Sequence, residues 1–352
     1  MELYEKDKVW KISCYPNEDG TYSLKTEHGK VNGKMVEHVL VVKEGKNKGK
    51  KNETTVEQQA MSMAQSEYNK KIRLGYHVAD SDQSAPPVLK PMLAQEYKGK
   101  VTGPVWVQPK LDGVRCLVYV NEGRVMFQSR QNTVFPPFEH LVEEVKRLLE
   151  RMPPNTVLDG ELYVHGMAFE NIVSMVRRSS KRTVDLRYTV YDWFVQGENT
   201  HTYKERLDLL SRAYKPFPGI ELIETQHVTQ ETDMCTWLAH YVEKGYEGIM
   251  LRRNGMYKEG RSKDLLKYKL FKDDEYEVVG HHLSKVNAPV FECKTKEGKL
   301  FGVMMKESHE EKIKRLENIE QWYGKKLTVK YQELTSDGIP RFPVGIVFRD
   351  YE

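Results

Sequence analysis

VWVQPKLDGVRCLVYV, residues 105 to 120, is the stretch from which the rest of the chain is read. An apolar run with strand character ends at Lys110. Asp112-Gly113 is a turn pair, and a second apolar run, VRCLVYV, leads away from it. A long, flexible cation therefore stands where a buried strand ends. Many hairpins carry a solvated lysine at the bend. The alternative is a nucleophile, and the choice depends on what the chain sets beside it.

Further polar residues stand at the ends of other apolar strands. Arg115 follows the bend, and Ser129 and Arg130 close the next strand. Glu161 lies in LDGELYV, Tyr191 in YTVYDWF and Glu247 in EGIMLRR. Lys267 and Lys269 alternate in LLKYKLF, which puts both on one face of a strand. Lys110, Arg115, Arg130, Lys267 and Lys269 are cations that can hold phosphates. Glu161 and Glu247 are carboxylates that can hold Mg²⁺, and Tyr191 offers a face for a base. Crowded cations also favour the neutral amine that nucleophilic attack requires. Each residue alone has a plainer reading as a solvated lysine, a hairpin glutamate or a core tyrosine, so the argument rests on the ordered set.

The chain has 352 residues, is 39% hydrophobic and 30% charged, and carries a net charge of +4. That length allows two or three domains. Clustered charges of both signs weakly favour a polyanionic partner. No run approaches the ~18 apolar residues of a membrane span, so no membrane partner is expected. MELYEKDKVWK lacks the apolar core of a signal peptide. Cys14, Cys116, Cys235 and Cys293 form no CxxC pair, which argues against a zinc site or disulfide framework and for a reducing cytoplasm.

Residues 1–78 read as a small α+β unit. VWKISCYP, TYSLKTEHG and VEHVLVVKEG are its expected strands, and TVEQQAMSMAQSEYNKK its helix, with Thr55 and Gln58 at capping-box spacing. ADSDQSAPP, residues 79–87, reads as a linker. Residues 88–272 alternate strands with helical patterns in FPPFEHLVEEVKRLLERM, FENIVSMVRRSS, YKERLDLLSRAY and ETDMCTWLAHYVEKG. That mixture predicts an α+β domain with antiparallel sheets. Residues 273–352 hold strands in EYEVVGHHLS, VFECKTKEGKLFGVMM, KLTVKYQEL and VGIVFRDYE, with one helix in SHEEKIKRLENIEQWYG. A small Greek-key barrel of the OB-fold type is expected there.

KLDGVR resembles the KxDGxR motif of the covalent nucleotidyltransferases, which include ATP-dependent DNA ligases, RNA ligases and mRNA capping enzymes. SRQN, LDGELYV, YTVYDWF, EGIMLRR and LLKYKLF resemble the later motifs of that superfamily, in order. PVLKPMLAQ resembles the segment that opens the adenylation domain of DNA ligases, and IPRFPVGIVFRDYE resembles their C-terminal motif. The resemblance covers residues 87 to 352. It implies an α+β multidomain protein: an adenylation domain with antiparallel sheets followed by an OB-fold barrel, in the compact layout of phage and viral ligases.

The resemblance implies the following roles. Lys110 would attack the α-phosphate of ATP and carry AMP. Arg115 and Arg130 would contact the AMP ribose or the nick phosphate. Glu161 would hold the ribose hydroxyl or a metal, Tyr191 would stack on adenine, and Glu247 would bind Mg²⁺, or Mn²⁺ in its place. Lys267 and Lys269 would hold the α-phosphate, and Arg349 the leaving pyrophosphate. Two positions depart from the family pattern. Gln108 stands where many members have glutamate and would meet the adenine edge as a neutral amide. FRDYE keeps Arg349 and Asp350 but lacks a closing lysine. The implied partner is nicked duplex DNA, and a monomer is expected.

Residues 1–78 resemble a WGR domain, with His28-Gly29-Lys30 in place of the name-giving tripeptide. That resemblance implies DNA contact through Lys46, Lys48, Lys50, Lys51, Lys70, Lys71 and Arg73. Three other functions compete with a DNA nick ligase. A ligase of RNA or RNA/DNA hybrids shares the lysine motif but usually lacks the barrel. The PMLA segment argues against an mRNA guanylyltransferase, which uses GTP. Retention of every nucleotide motif argues against a non-catalytic DNA-binding protein.

Overall fold

In the computed structural model, four antiparallel strands open the chain in spatial order: β1 (Glu2–Glu5), β2 (Lys8–Pro16), β3 (Tyr22–Lys30) and β4 (Met35–Val42). The structure describes residues 1–78, 87–99, 103–178, 181–198, 200–284, 286–335 and 337–349, with the backbone alone at 181 and 182. The expected linker therefore falls, except for its last residue, outside the described residues. β1 was not expected, because ELYE is too short to show a period. Its register against β2 and the pairing of Tyr4 with His77 fix it in place. α1 (Val56–Arg73) begins at the capping box that Thr55 and Gln58 predict. Ala60 and Ala64 bring it close to Leu3, Trp10, Ile12 and Leu24.

The middle of the chain builds two five-stranded sheets. Its elements are β5 (Met92–Glu96), β6 (Val105–Pro109), β7 (Val114–Asn121), β8 (Arg124–Ser129), α2 (Glu139–Leu149), β9 (Thr156–Tyr163), α3 (Phe169–Arg177), β10 (Arg187–Val195), α4 (Tyr203–Ala213), β11 (Ile220–Leu222), β12 (Gln226–Val228), α5 (Glu231–Glu243), β13 (Gly248–Arg252) and β14 (Gly260–Lys269). One sheet runs β11-β10-β9-β7-β8 and the other β12-β6-β13-β14-β5. Pairing is antiparallel as expected, except that β10–β11 and β14–β5 are parallel. All four helices fall where the apolar period of 3.6 puts them. One core gathers Phe127, Leu141, Tyr188 and Trp193, and a second lies between α5, β6 and β13.

Charge is buried between these sheets. Asp192 on β10, 1% exposed, accepts from Arg206 Nε of α4 at 2.7 Å and from Arg252 Nη1 of β13 at 2.7 Å. Arg252 Nε donates to Gln108 Oε1 of β6 at 2.8 Å. The two arginines outweigh the cost of burial and hold the Asp192 carboxyl below its ordinary range. Asp159 of β9 makes a second bridge. It accepts from Arg115 Nε at 2.9 Å and from the Tyr257 hydroxyl at 2.7 Å, and that hydroxyl accepts from Met92 N of β5.

The C-terminal strands are β15 (Lys272–Leu283), β16 (Pro289–Lys294), β17 (Leu300–Met305), β18 (Lys326–Tyr331) and β19 (Val344–Arg349), closed as a barrel in the order β15-β16-β17-β19-β18. VFECKTKEGKLFGVMM, expected as one strand, is a hairpin. It turns where Gly298 N bonds Thr295 O, with Gly298 at φ +85°. The single helix expected after it is α6 (His309–Lys314) followed by a 3-10 segment, Arg315–Trp322, broken at Asn318.

Replacing Asp192 by Asn should cost about 3–5 kcal/mol, because two buried guanidinium groups lose their counter-charge. Replacing Lys204, in an exposed pair with Asp208, should cost less than about 1 kcal/mol. Urea unfolding of the two variants checks the contrast.

Candidate active site

Strand register brings the nucleophile candidate to its neighbours. Pro109 pairs with Ile249 and Lys269 with Gly248, and Lys110 N donates to Gly248 O at 2.8 Å. Lys110, Gly248 and Lys269 thus form a row across three strands. A side chain at Gly248 would strike Tyr268 O, 2.3 Å from an ideal Cβ. Only glycine fits between the two lysines, and the Glu247 carboxylate binds both ammonium groups, Lys110 Nζ at Oε2 and Lys269 Nζ at Oε1. Burial raises the Glu247 carboxyl, but the two lysines overcome it and hold the group below its ordinary value. Burial and the nearby Lys110 push Lys269 down, against the pull of Glu247.

The other sheet supplies the facing wall. Arg115 pairs with Glu161 across β7 and β9, and Glu161 with Thr189 across β9 and β10. Gly113 permits the approach of the bend, since a Cβ there would lie 2.5 Å from Leu162 O and 2.8 Å from Glu161 Cγ. A bulge between Val190 and Asp192 leaves Tyr191 unpaired on β10 and turns its ring toward the site. Its hydroxyl donates to Glu161 Oε2 at 3.3 Å, and Arg252 lies 5.3 Å from its ring centre. Burial raises Glu161 to about 7, against the lowering effects of Lys110 and Arg115.

Two joined cavities lie between the walls. The smaller, about 310 Å³, is lined by Gln108, Tyr191, Met250, Arg252 and Lys267, and has the size and mixed lining of a nucleoside site. The larger, about 650 Å³, is lined by Asp112, Phe169, Arg341 and Phe342. Lys110, Arg115, Arg130, Glu161 and Lys269 line both and mark the passage between them. The expected set is thus brought together, with two exceptions in detail. Gln108 lines the smaller cavity, yet its amide nitrogen donates to Tyr203 Oη at 2.8 Å and Thr225 Oγ1 at 3.0 Å, and its oxygen accepts from Arg252. Arg349 is not brought to either cavity. It lies on the barrel, where its Nε bonds Thr328 Oγ1 at 2.9 Å and pairs with Glu275 at 3.3 Å.

The barrel side reaches the site through a residue that the sequence reading quoted without a role. Arg341 binds both oxygens of Asp112 in the KLDGVR bend, Nη2 to Oδ1 at 3.0 Å. The signal was present in the PRFP pattern. The basic positions of the N-terminal unit divide into two groups. Lys46, Lys48, Lys50 and Lys51 are exposed before α1, and Lys48 pairs with Glu44. Lys70, Lys71 and Arg73 stand at the far end of this 18-residue helix, roughly 27 Å away at 1.5 Å per residue. Lys71 packs its ammonium over the rings of Trp10 and Tyr76, and burial lowers it.

A family model described as an ATP dependent DNA ligase domain matches residues 91–269, just over half of the chain. The chain belongs to the ATP-dependent DNA ligases. A second model, a DNA ligase OB-like domain, matches residues 287–349. DNA ligase of African swine fever virus is 28% identical over 333 residues, covering 88% of this chain and 79% of the viral one. DNA ligase of Haemophilus influenzae is 28% identical over 247 residues, covering 67% and 84%. Among solved structures, a Lig E DNA ligase aligns with a TM-score of 0.61 at 24% identity, covering 75% of this chain and all of the other. Another, titled Pmar-Lig_Pre., aligns with a TM-score of 0.65 at 23% identity, covering 75% and 68%. These two likenesses show the fold.

A carboxyl raised on folding makes the native state bind an extra proton between its unfolded and folded values. Its contribution is therefore complete at low pH and lost as pH rises through about 7. Metal-free Glu161→Gln should be more stable than the wild type by under about 1 kcal/mol at pH 5, just above the unfolded value, and by about 3 kcal/mol at pH 8. Melting curves at the two pH values check this.

Proposed function

We propose that this enzyme seals nicks in duplex DNA by carrying AMP on Lys110. The observation that supports this most is the row of Lys110, Lys269 and Glu247 at the mouth of a nucleoside-sized cavity. In the first step Lys110 Nζ forms a bond to the α-phosphorus of ATP. The bond to the bridging oxygen breaks, pyrophosphate departs, and the amine releases its proton to water. Lys110 must first give up its ammonium proton, for which the Glu247 carboxylate at its Nζ is the acceptor, since an ammonium has no lone pair to attack with. Lys267 and Lys269 stabilise the charge that builds on the α-phosphate. In the second step an oxygen of the 5′-phosphate at the nick displaces Lys110 from AMP. In the third the 3′-hydroxyl attacks that phosphate and AMP leaves. Tyr191 stacks on adenine, and Arg115 and Arg130, at the passage between the cavities, receive ribose and nick phosphate.

Glu161 and Glu247 are hard oxygen donors facing one cavity, whose described lining holds no cysteine, and would fit Mg²⁺ or Mn²⁺. When bound, such an ion supplies charge neutralisation at the transferring phosphate. Residues 1–78, 88–272 and 273–352 act as separate units on the duplex. Arg341 joins the last to the bend that carries Lys110, and Arg349 meets pyrophosphate only in a different arrangement of the barrel. The WGR-like unit grips the duplex through the exposed lysines before α1.

Incubation with labelled ATP and Mg²⁺ should give an acid-labile protein adduct, absent in Lys110→Ala. Preferential labelling by GTP would sink the reading. In a panel of nicked DNA, nicked RNA–DNA hybrid and single strands, nicked DNA should be sealed fastest, and faster sealing of the hybrid would favour an RNA-type ligase. Changing Lys46, Lys48, Lys50 and Lys51 together to Ala should weaken nick binding and flatten its logarithmic salt dependence by about 3. Titrations at several salt concentrations measure that slope.

A further inference from the structure

A third cavity opens beside the nucleoside site and shares Arg261 and Lys267 with it. It is open to solvent and about 600 Å³ in volume. Its charged lining comprises Lys98, Arg253, Arg261, Lys263 and Lys267 against one carboxylate, Glu96. Among the described residues none of these five cations forms an ion pair. Arg261 Nη1 donates to Ala94 O at 3.2 Å, and Arg253 Nε is buried without any partner. A buried guanidinium donor left open is costly unless an acceptor arrives. A concave wall of one sign also concentrates counter-ions of the other.

Position identifies the anion. Lys110 lines the two cavities described above but not this one. In an in-line displacement the leaving group departs on the side away from the attacking nitrogen. Lys267 stands where the nucleoside cavity opens into the basic one. The barrel, in the arrangement described, presents Arg341 and Phe342 to Lys110 and keeps Arg349 elsewhere.

We propose that Lys98, Arg253, Arg261 and Lys263, continuing from Lys267, seat the β- and γ-phosphates of ATP and then the departing pyrophosphate. This rests on the ligase reading above and assigns the leaving group to the sheet itself. The bond changes are those of the first step: the α-phosphorus to bridging-oxygen bond breaks, and the cations take the negative charge of pyrophosphate.

The test uses the full chain and two variants, Arg253→Ala and the exposed Lys263→Glu, so that a folding defect in the first leaves the second informative. Both should raise the KM for ATP in lysyl-AMP formation and the pyrophosphate concentration that half-inhibits it, by about tenfold. Sealing of a nick already carrying AMP, which releases no pyrophosphate, should change far less. Unchanged pyrophosphate inhibition with a flattened salt dependence of duplex binding would overturn the proposal and make the cavity a seat for DNA phosphates. No change in either would overturn it in favour of a solvated surface. A wild-type enzyme that forms no AMP adduct would overturn the ligase reading and this proposal together, whereas normal adduct formation with unaffected variants overturns this proposal alone.

Discussion

The site depends on a carboxylate that never meets solvent. Asp192 is gripped by Arg206 and Arg252, which come from a helix and from the opposite sheet. Without it, the interior between the sheets would hold two guanidinium groups and no counter-charge, at a cost several times what a surface pair contributes. The network also fixes the floor of the nucleoside cavity. Arg252 orients Gln108, lies over the ring of Tyr191, and continues the strand that begins beside Glu247. Geometry around Lys110, Glu247 and Lys269 is thus referred back to a buried electrostatic joint at the other end of β13.

The residues that line the two cavities were legible in the sequence because most of them, Lys110, Arg130 and Glu247 among them, are charged groups beside an apolar run, where core packing does not demand them. The helices were legible because their apolar faces repeat over three turns. β1, β11 and β12 were not, because three or four residues carry no measurable period. The hairpin of β16 and β17 was hidden in a continuous stretch whose turn, Thr295–Lys299, holds one glycine among lysines. The broken helix after α6 was hidden because Asn318 departs from helical geometry without a proline to announce it.

Partner choice was the least legible level. The sequence places Gln108, Asp159 and Arg349 on the right elements but does not say what they bond. Gln108 is bound to Arg252, Tyr203 and Thr225, and Asp159 to Arg115 and Tyr257. Arg349 is bound within the barrel, while Arg341, eight residues earlier, reaches Asp112. Contacts such as Gln108–Arg252 and Arg341–Asp112, 144 and 229 positions apart, depend on how whole sheets stack, and no local pattern encodes that. The basic N-terminal residues show the same limit: they are close in charge character but divided by the length of a helix.

β14 ends at Lys269 and β15 begins at Lys272, so only Leu270 and Phe271 separate the lysine that pairs with Glu247 from the first strand of the barrel. A connector of two residues spans roughly 7 Å when fully extended. The barrel is therefore tethered like a hand at a wrist and cannot drift away from β14. Its local concentration at the site stays high whatever the solution concentration of the enzyme. Leu270, the first residue of the connector, is bonded directly to Lys269, whose ammonium the Glu247 carboxylate binds. The placement of the barrel and the placement of Lys269 are thus linked, in mechanical terms, through two residues.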